Sequence, residues 1–198
     1  MKFILLLSTL CLFACATPEV SPSGANPMGL GQYSRIVDQN SDKARRYSGF
    51  YNTLDIEATV LRPNVMQAQL EYSATLYQWD EKKFLEEKGK MESRLSKESE
   101  IFMSFFTPER KNDDLSKKNT MWKIFLDVDG KRYEGKATKI KLQLAEIEAL
   151  YPYHNRFYTP YTVVFPIAMK SIERRPLEVT VTGVVGSGTL KFALPASN

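Results

Sequence analysis

Few side chains in this sequence could do chemistry, and their spacing limits what kind. There is one histidine, His154, and both cysteines, Cys11 and Cys15, lie in the N-terminal leader. A multi-histidine metal site is excluded, and a chain cut before Cys15 keeps no thiol for a disulfide, a cysteine-ligated metal or catalysis. Gly186-Ser187-Gly188 places a serine between glycines, but a nucleophile elbow is G-x-S-x-G on a strand-to-helix turn, and here apolar alternation flanks both sides. Asp127-Val128-Asp129-Gly130 opens like a calcium loop, yet no third acidic ligand or closing glutamate follows at the required spacing. Asp113-Asp114 sits in a polar loop with no apolar wall to perturb a carboxyl for acid–base work. The expectation is a non-enzymatic protein with no catalytic residues, no metal and no cofactor held in the fold.

The densest unusual segment is YPYHNRFYTPY, residues 151–161, with Tyr151, Tyr153, His154, Arg156, Phe157, Tyr158 and Tyr161 broken by Pro152 and Pro160. Tyrosine and arginine are enriched at binding hot spots because they are large, semi-rigid and amphipathic. Two readings stand side by side: a connection whose aromatics pack against one end of the fold, and a contact surface for a partner or glycan formed by Tyr151, Tyr153, His154, Arg156 and Tyr158.

The N-terminus carries an address. Lys2 precedes an uncharged run of 12 residues, Phe3 to Ala14, which ends in small residues. That is the layout of a secretory signal peptide, and the run is shorter than the roughly 20 residues that span a bilayer. Leu12-Phe13-Ala14-Cys15 resembles the lipobox of bacterial lipoproteins. The resemblance is confined to residues 1–15. It implies removal of residues 1–14, a diacylglycerol on the Cys15 thiol and an N-acyl chain on the new amino terminus. It also implies, from Ala16 after the cysteine, delivery to the outer membrane, facing either the periplasm or the cell surface. Cleavage after Ala16, giving an unlipidated product, is the alternative. Residues 17–32 are rich in Pro, Ser, Gly, Ala and Asn without apolar periodicity, so residues 15–46 are expected to form a flexible tether.

Elements that could position any site begin after the tether. The formal charge is +4, or +3 without Lys2, and cations are mixed with acids throughout. No basic stripe for nucleic acid is present. Phe50, Leu54, Ile56, Ala58 and Val60 alternate as a strand. Residues 64–78 admit two readings: Met66, Ala68, Leu70, Tyr72 and Ala74 also alternate, but the residue types favour a helix capped by Asn64 after Pro63. The helix is preferred. A charged helix follows over residues 80–96, with Glu86 four before Lys90. Strands are expected at 101–106, 122–128, 131–142, 161–168, 177–182 and 190–194, with Asp129-Gly130 as a two-residue hairpin turn and a short helix near 145–150. Seven strands with short connections predict one mainly β (α+β) domain over residues 47–194. Its architecture is expected to be an immunoglobulin-like antiparallel β-sandwich with a helical insertion at about 64–96, and Trp122 should be buried between the sheets. The expected role is contact with an envelope protein from a lipid-tethered position on the membrane. The second reading is a protein that binds a small ligand or glycan through residues 151–161.

Overall fold

A computed structural model describes residues 22–194; the expected signal peptide and Cys15 lie outside the described residues. The fold is mixed α+β, with two antiparallel sheets and helices layered on one of them. In chain order the elements are α1 (Leu30–Gln39), β1 (Ser41–Ser48), β2 (Tyr51–Val60), α2 (Pro63–Leu76), α3 (Glu81–Lys97), β3 (Ser99–Phe106), β4 (Lys123–Val128), β5 (Lys131–Glu134), β6 (Lys136–Lys139), α4 (Leu144–Leu150), β7 (Thr159–Phe165), α5 (Met169–Ile172), β8 (Leu177–Gly183) and β9 (Gly186–Phe192). The larger sheet runs β1-β2-β3-β7-β6 and the smaller β5-β4-β8-β9.

The alternation expected over Phe50 to Val60 positions a core from Leu54 onward, whereas Phe50 lies in the turn before β2 and is exposed. Ile56, Ala58 and Val60 pair across to Phe105, Met103 and Ile101, and those pair in turn with Thr159, Tyr161 and Val163. Met103, Phe105, Tyr161 and Val163 are buried, in one cluster with Leu126, Val179, Val181 and Leu190 of the smaller sheet. Trp122, just before β4, closes one end of this layer. Its indole N–H donates to the Asn112 carbonyl at 2.7 Å, and its ring meets Phe105 edge-on at 5.1 Å.

The sheets are linked at both edges. Residues 131–142, expected as one strand, divide into β5 and β6 at Gly135, where the chain passes from one sheet to the other. Only glycine fits that corner, because a Cβ there would lie 2.5 Å from the Phe165 ring. On the other side β9 runs beside β1: Arg46 Nε donates to the Ser187 carbonyl at 2.8 Å, and the Lys191 amide donates to Asp42 Oδ2 at 2.7 Å. Edge strands that cover one another in this way leave little open template for unwanted pairing.

Two further expectations are corrected. The tether expected over residues 15–46 is structured from Leu30, as α1 and β1. Tyr33 and Val37, one turn apart, are fully buried; Tyr33 stacks on Tyr72 at 4.6 Å and donates to the Leu150 carbonyl at 2.8 Å. With β1 and the division at Gly135, nine strands among the described residues replace the seven expected. Residues 64–76 are helical, but Arg62 is the N-cap and Pro63 opens the first turn, in place of an Asn64 cap. Helix α2 buries Val65, Met66, Ala68, Leu70, Tyr72 and Ala74 against neighbours on more than one side, which accounts for an alternation that mimicked a strand. Helix α3 is as expected: Asp80 caps it by accepting from the Lys83 amide, and Glu86 pairs with Lys90.

Candidate functional site

Residues 151–158 lie across the helix-facing side of the larger sheet, and of the five residues expected to form a contact surface the fold buries Tyr151 and His154, half-buries Tyr153 and Tyr158 and exposes Arg156. Tyr151 stacks on Phe102 with ring centroids 3.5 Å apart and planes 3° from parallel. Tyr153 is half-buried and shares a 2.7 Å hydrogen bond with Thr59 Oγ1. His154 Nδ1 is 2.5 Å from Ser104 Oγ. Tyr158 tilts against Phe106 at 5.8 Å, and burial pushes its hydroxyl up to about 12. Tyr161 is buried and donates to the Asp113 carbonyl. Pro152, Arg156 and Phe157 are open to solvent. Of the set Tyr151, Tyr153, His154, Arg156 and Tyr158, Tyr151 and His154 are interior residues, and Tyr153, Arg156 and Tyr158 keep some exposure.

Ser104 and His154 form the one serine–histidine hydrogen bond seen among the described residues. Activated nucleophiles need a base beside them and space for a substrate. Here the serine is 1% and the histidine 4% exposed, so no substrate reaches either. Burial lowers the proton affinity of the His154 ring, consistent with a neutral imidazole bonded to a hydroxyl.

The remaining candidates resolve into structure. Ser187 is exposed on β9, and its carbonyl accepts from Arg46. Asp127 is held by a two-pronged contact with Arg132, and Asp129 pairs with Arg175 at 2.6 Å. Asp113 accepts from Thr159, while Asp114 accepts from the Ser116 hydroxyl and amide, and those bonds hold its carboxyl below the ordinary range. Among the described residues no three of His, Cys, Asp and Glu are grouped to hold a metal.

A cleft that sequence patterning did not single out lies between α2, α3 and the larger sheet. It encloses about 270 Å³, close to the lower limit of roughly 300 Å³ for small-molecule sites. Met66 and Leu70 come from α2, Met91 from α3, Leu142 and Leu150 from the chain around α4, and Trp79 from the connection between α2 and α3. Polar groups converge inside this apolar wall: Glu100 at the start of β3, Gln69, Ser73, Thr162 and the Tyr151 phenol.

Glu100 is 7% exposed. Arg94, half-exposed on α3, approaches it at 3.3 Å. Burial raises the Glu100 carboxyl above its ordinary value, with Arg94 opposing. Burial, assisted by the nearby carboxylate, also drives the Tyr151 hydroxyl far up. Arg94 donates one hydrogen bond to this carboxylate, and a desolvated carboxylate favours further hydrogen-bond donors. The available signal in the sequence was an acid leading directly into Ile101-Phe102-Met103, a run apolar on both faces, as in a strand covered on both sides. No family model matches this chain, and no match is found among curated proteins or solved structures.

Proposed function

We propose that the protein is a lipid-anchored component of the bacterial envelope that works by binding, not catalysis, and that the cleft over Glu100 holds a small ligand with an apolar body and a donor head group. The anchored half of this reading comes from the Leu12-Phe13-Ala14-Cys15 pattern, which implies attachment through Cys15 and an outer-membrane address. The binding half is carried by one observation: Glu100 is nearly inaccessible, yet it faces a cleft walled by Met66, Leu70, Met91 and Leu142. Burying a carboxyl is costly, and a protein that acts only as a scaffold would do better with an apolar residue there. A head group donating to Glu100 adds to the hydrogen bond that Arg94 gives it, while the alkyl part displaces water from the apolar walls. The small volume restricts the ligand to short chains or single rings.

Thermal unfolding in the presence of hexylamine and of hexanol tests this. A ligand that binds only the folded chain raises the midpoint in a concentration-dependent way. The reading expects a saturable rise with hexylamine, a smaller one with hexanol, and loss of both in Glu100→Leu. Equal responses of wild type and Glu100→Leu, or no response in either, would contradict it.

A further inference from the structure

Two hairpin tips stand side by side at the end of the sandwich away from the cleft. One is the β1–β2 turn, Ser48 to Tyr51, with Gly49 in the left-handed region at φ 60°. The other is the β8–β9 turn, Gly183 to Gly186. They are neighbours: Arg46 Nε reaches the Ser187 carbonyl at 2.8 Å, and a Cβ on Gly186 would sit 3.9 Å from Leu54 Cβ. The cleft lies at the other end of β2, where the Leu61 amide donates to the Glu100 carbonyl. At about 3.3 Å per residue, β2 separates the two by roughly 30 Å.

These tips expose what folded proteins ordinarily bury. Phe50 is 103% exposed, Tyr51 80% and Val184 87%, with Tyr47 beside them at 58%. None packs on the core, so folding supplies no reason for their size. One cation marks this end. Lys43 stands opposite Glu57 across the β1–β2 ladder and Arg45 is neutralised by Asp55, whereas Arg46, among the described residues, is bonded to a carbonyl oxygen and to no acid; residues 183–188 are uncharged.

We propose that this apex is a second membrane contact, with Phe50 and Val184 entering the acyl boundary of an anionic bilayer. Tyr47, Tyr51 and Arg46 then lie at headgroup level, where amphipathic rings and cations are stabilised. Shape favours a bilayer over a protein, because the tips are convex and hot-spot aromatics at protein interfaces cluster in a well-packed, desolvated patch. The inference rests on the anchored reading only in that the anchor keeps the chain at a bilayer.

The test reconstitutes the full chain into vesicles of phosphatidylcholine and phosphatidylglycerol with brominated acyl chains, comparing Phe50→Trp, Leu85→Trp on the exposed face of α3, and wild type. Flotation with the vesicles reports the anchor; quenching of the added tryptophan reports the apex. The proposal expects Trp emission added at position 50 to be largely lost while that added at position 85 is retained. A chain that floats without quenching at position 50, or with equal quenching at both positions, overturns the apex and leaves the anchor standing. A chain that neither floats nor is quenched overturns both.

Discussion

Residues 151–161 and residues 47–51 are both dense in aromatic side chains, and the fold treats them in opposite ways. In the first, every ring but exposed Phe157 meets something brought by β2 or β3: Tyr151 lies on Phe102, Tyr153 bonds to Thr59, His154 bonds to Ser104, and Tyr158 leans on Phe106. In the second, Ser48 stands opposite Tyr51 across a turn, and Phe50 projects beyond the sheet. Coverage explains the difference. Helices α1, α2 and α3 leave part of the larger sheet's outer face bare, and residues 151–158 complete that layer. The β1–β2 hairpin extends past the last covered row and has no layer to join. Aromatic density by itself therefore says nothing about burial; a vacant neighbouring face decides it.

The sharpest way to break this comparison is to truncate one ring from each region. Tyr161→Ala removes a fully buried ring and a hydroxyl bonded to Asp113, and should cost about 3–5 kcal/mol in urea unfolding. A cost below about 1 kcal/mol would mean that the segment is not part of the core. The cleft supplies a contrasting case. Because burial holds the Glu100 carboxyl above its ordinary value of 4.5, its contribution is most favourable below that pH and is lost as pH rises through the raised folded value. At neutral pH it is a net cost, so Glu100→Leu should stabilise the fold by about 0.5–2 kcal/mol. Destabilisation would make Glu100 a structural residue.

His154 sharpens the comparison through pH. Burial lowers its folded value below the ordinary 6.5, so the unfolded chain takes up a proton first as the solution is acidified. Stability should be unaffected by His154 above about pH 6.5 and should fall below it, with a slope no steeper than about 1.4 kcal/mol per pH unit. His154→Gln should flatten that part of the profile, and an unchanged profile would place the ring in solvent. The smallest effect belongs to the hairpin. Phe50→Ser and Tyr51→Ser should each change stability by less than about 0.5 kcal/mol, and a larger loss would show that the apex packs on something.

Local devices were legible in the sequence. Asp129 and Gly130 both adopt positive φ, at 50° and 72°, as their hairpin requires, and Glu86–Lys90 and the buried Trp122 follow from spacing alone. So does the antiparallel sandwich with its helices. Features that depend on distant partners were not legible. Helix α1 rests on Tyr33 and Val37, too few anchors to mark a polar segment as ordered, and β1 is an edge strand with little buried surface to impose alternation. The corner at Gly135 exists because of Phe165, thirty residues on. Residues 151–158 face inward because of Thr59, Phe102 and Ser104, whose pairing no nearby residue announces. Glu100 looked like an ordinary charge flanking a strand, and only the covering by α2 and α3 makes it the floor of a cleft.

The central claim is an anchored protein with a ligand in the cleft, and native mass spectrometry of the full chain extracted from membranes in mild detergent tests both halves together. The account predicts a mature chain beginning at Cys15 with acyl mass attached, plus a further small mass that is lost on denaturation and absent from Glu100→Leu. A chain beginning at Thr17 without acyl mass would contradict the anchor, and identical native and denatured masses would contradict the ligand.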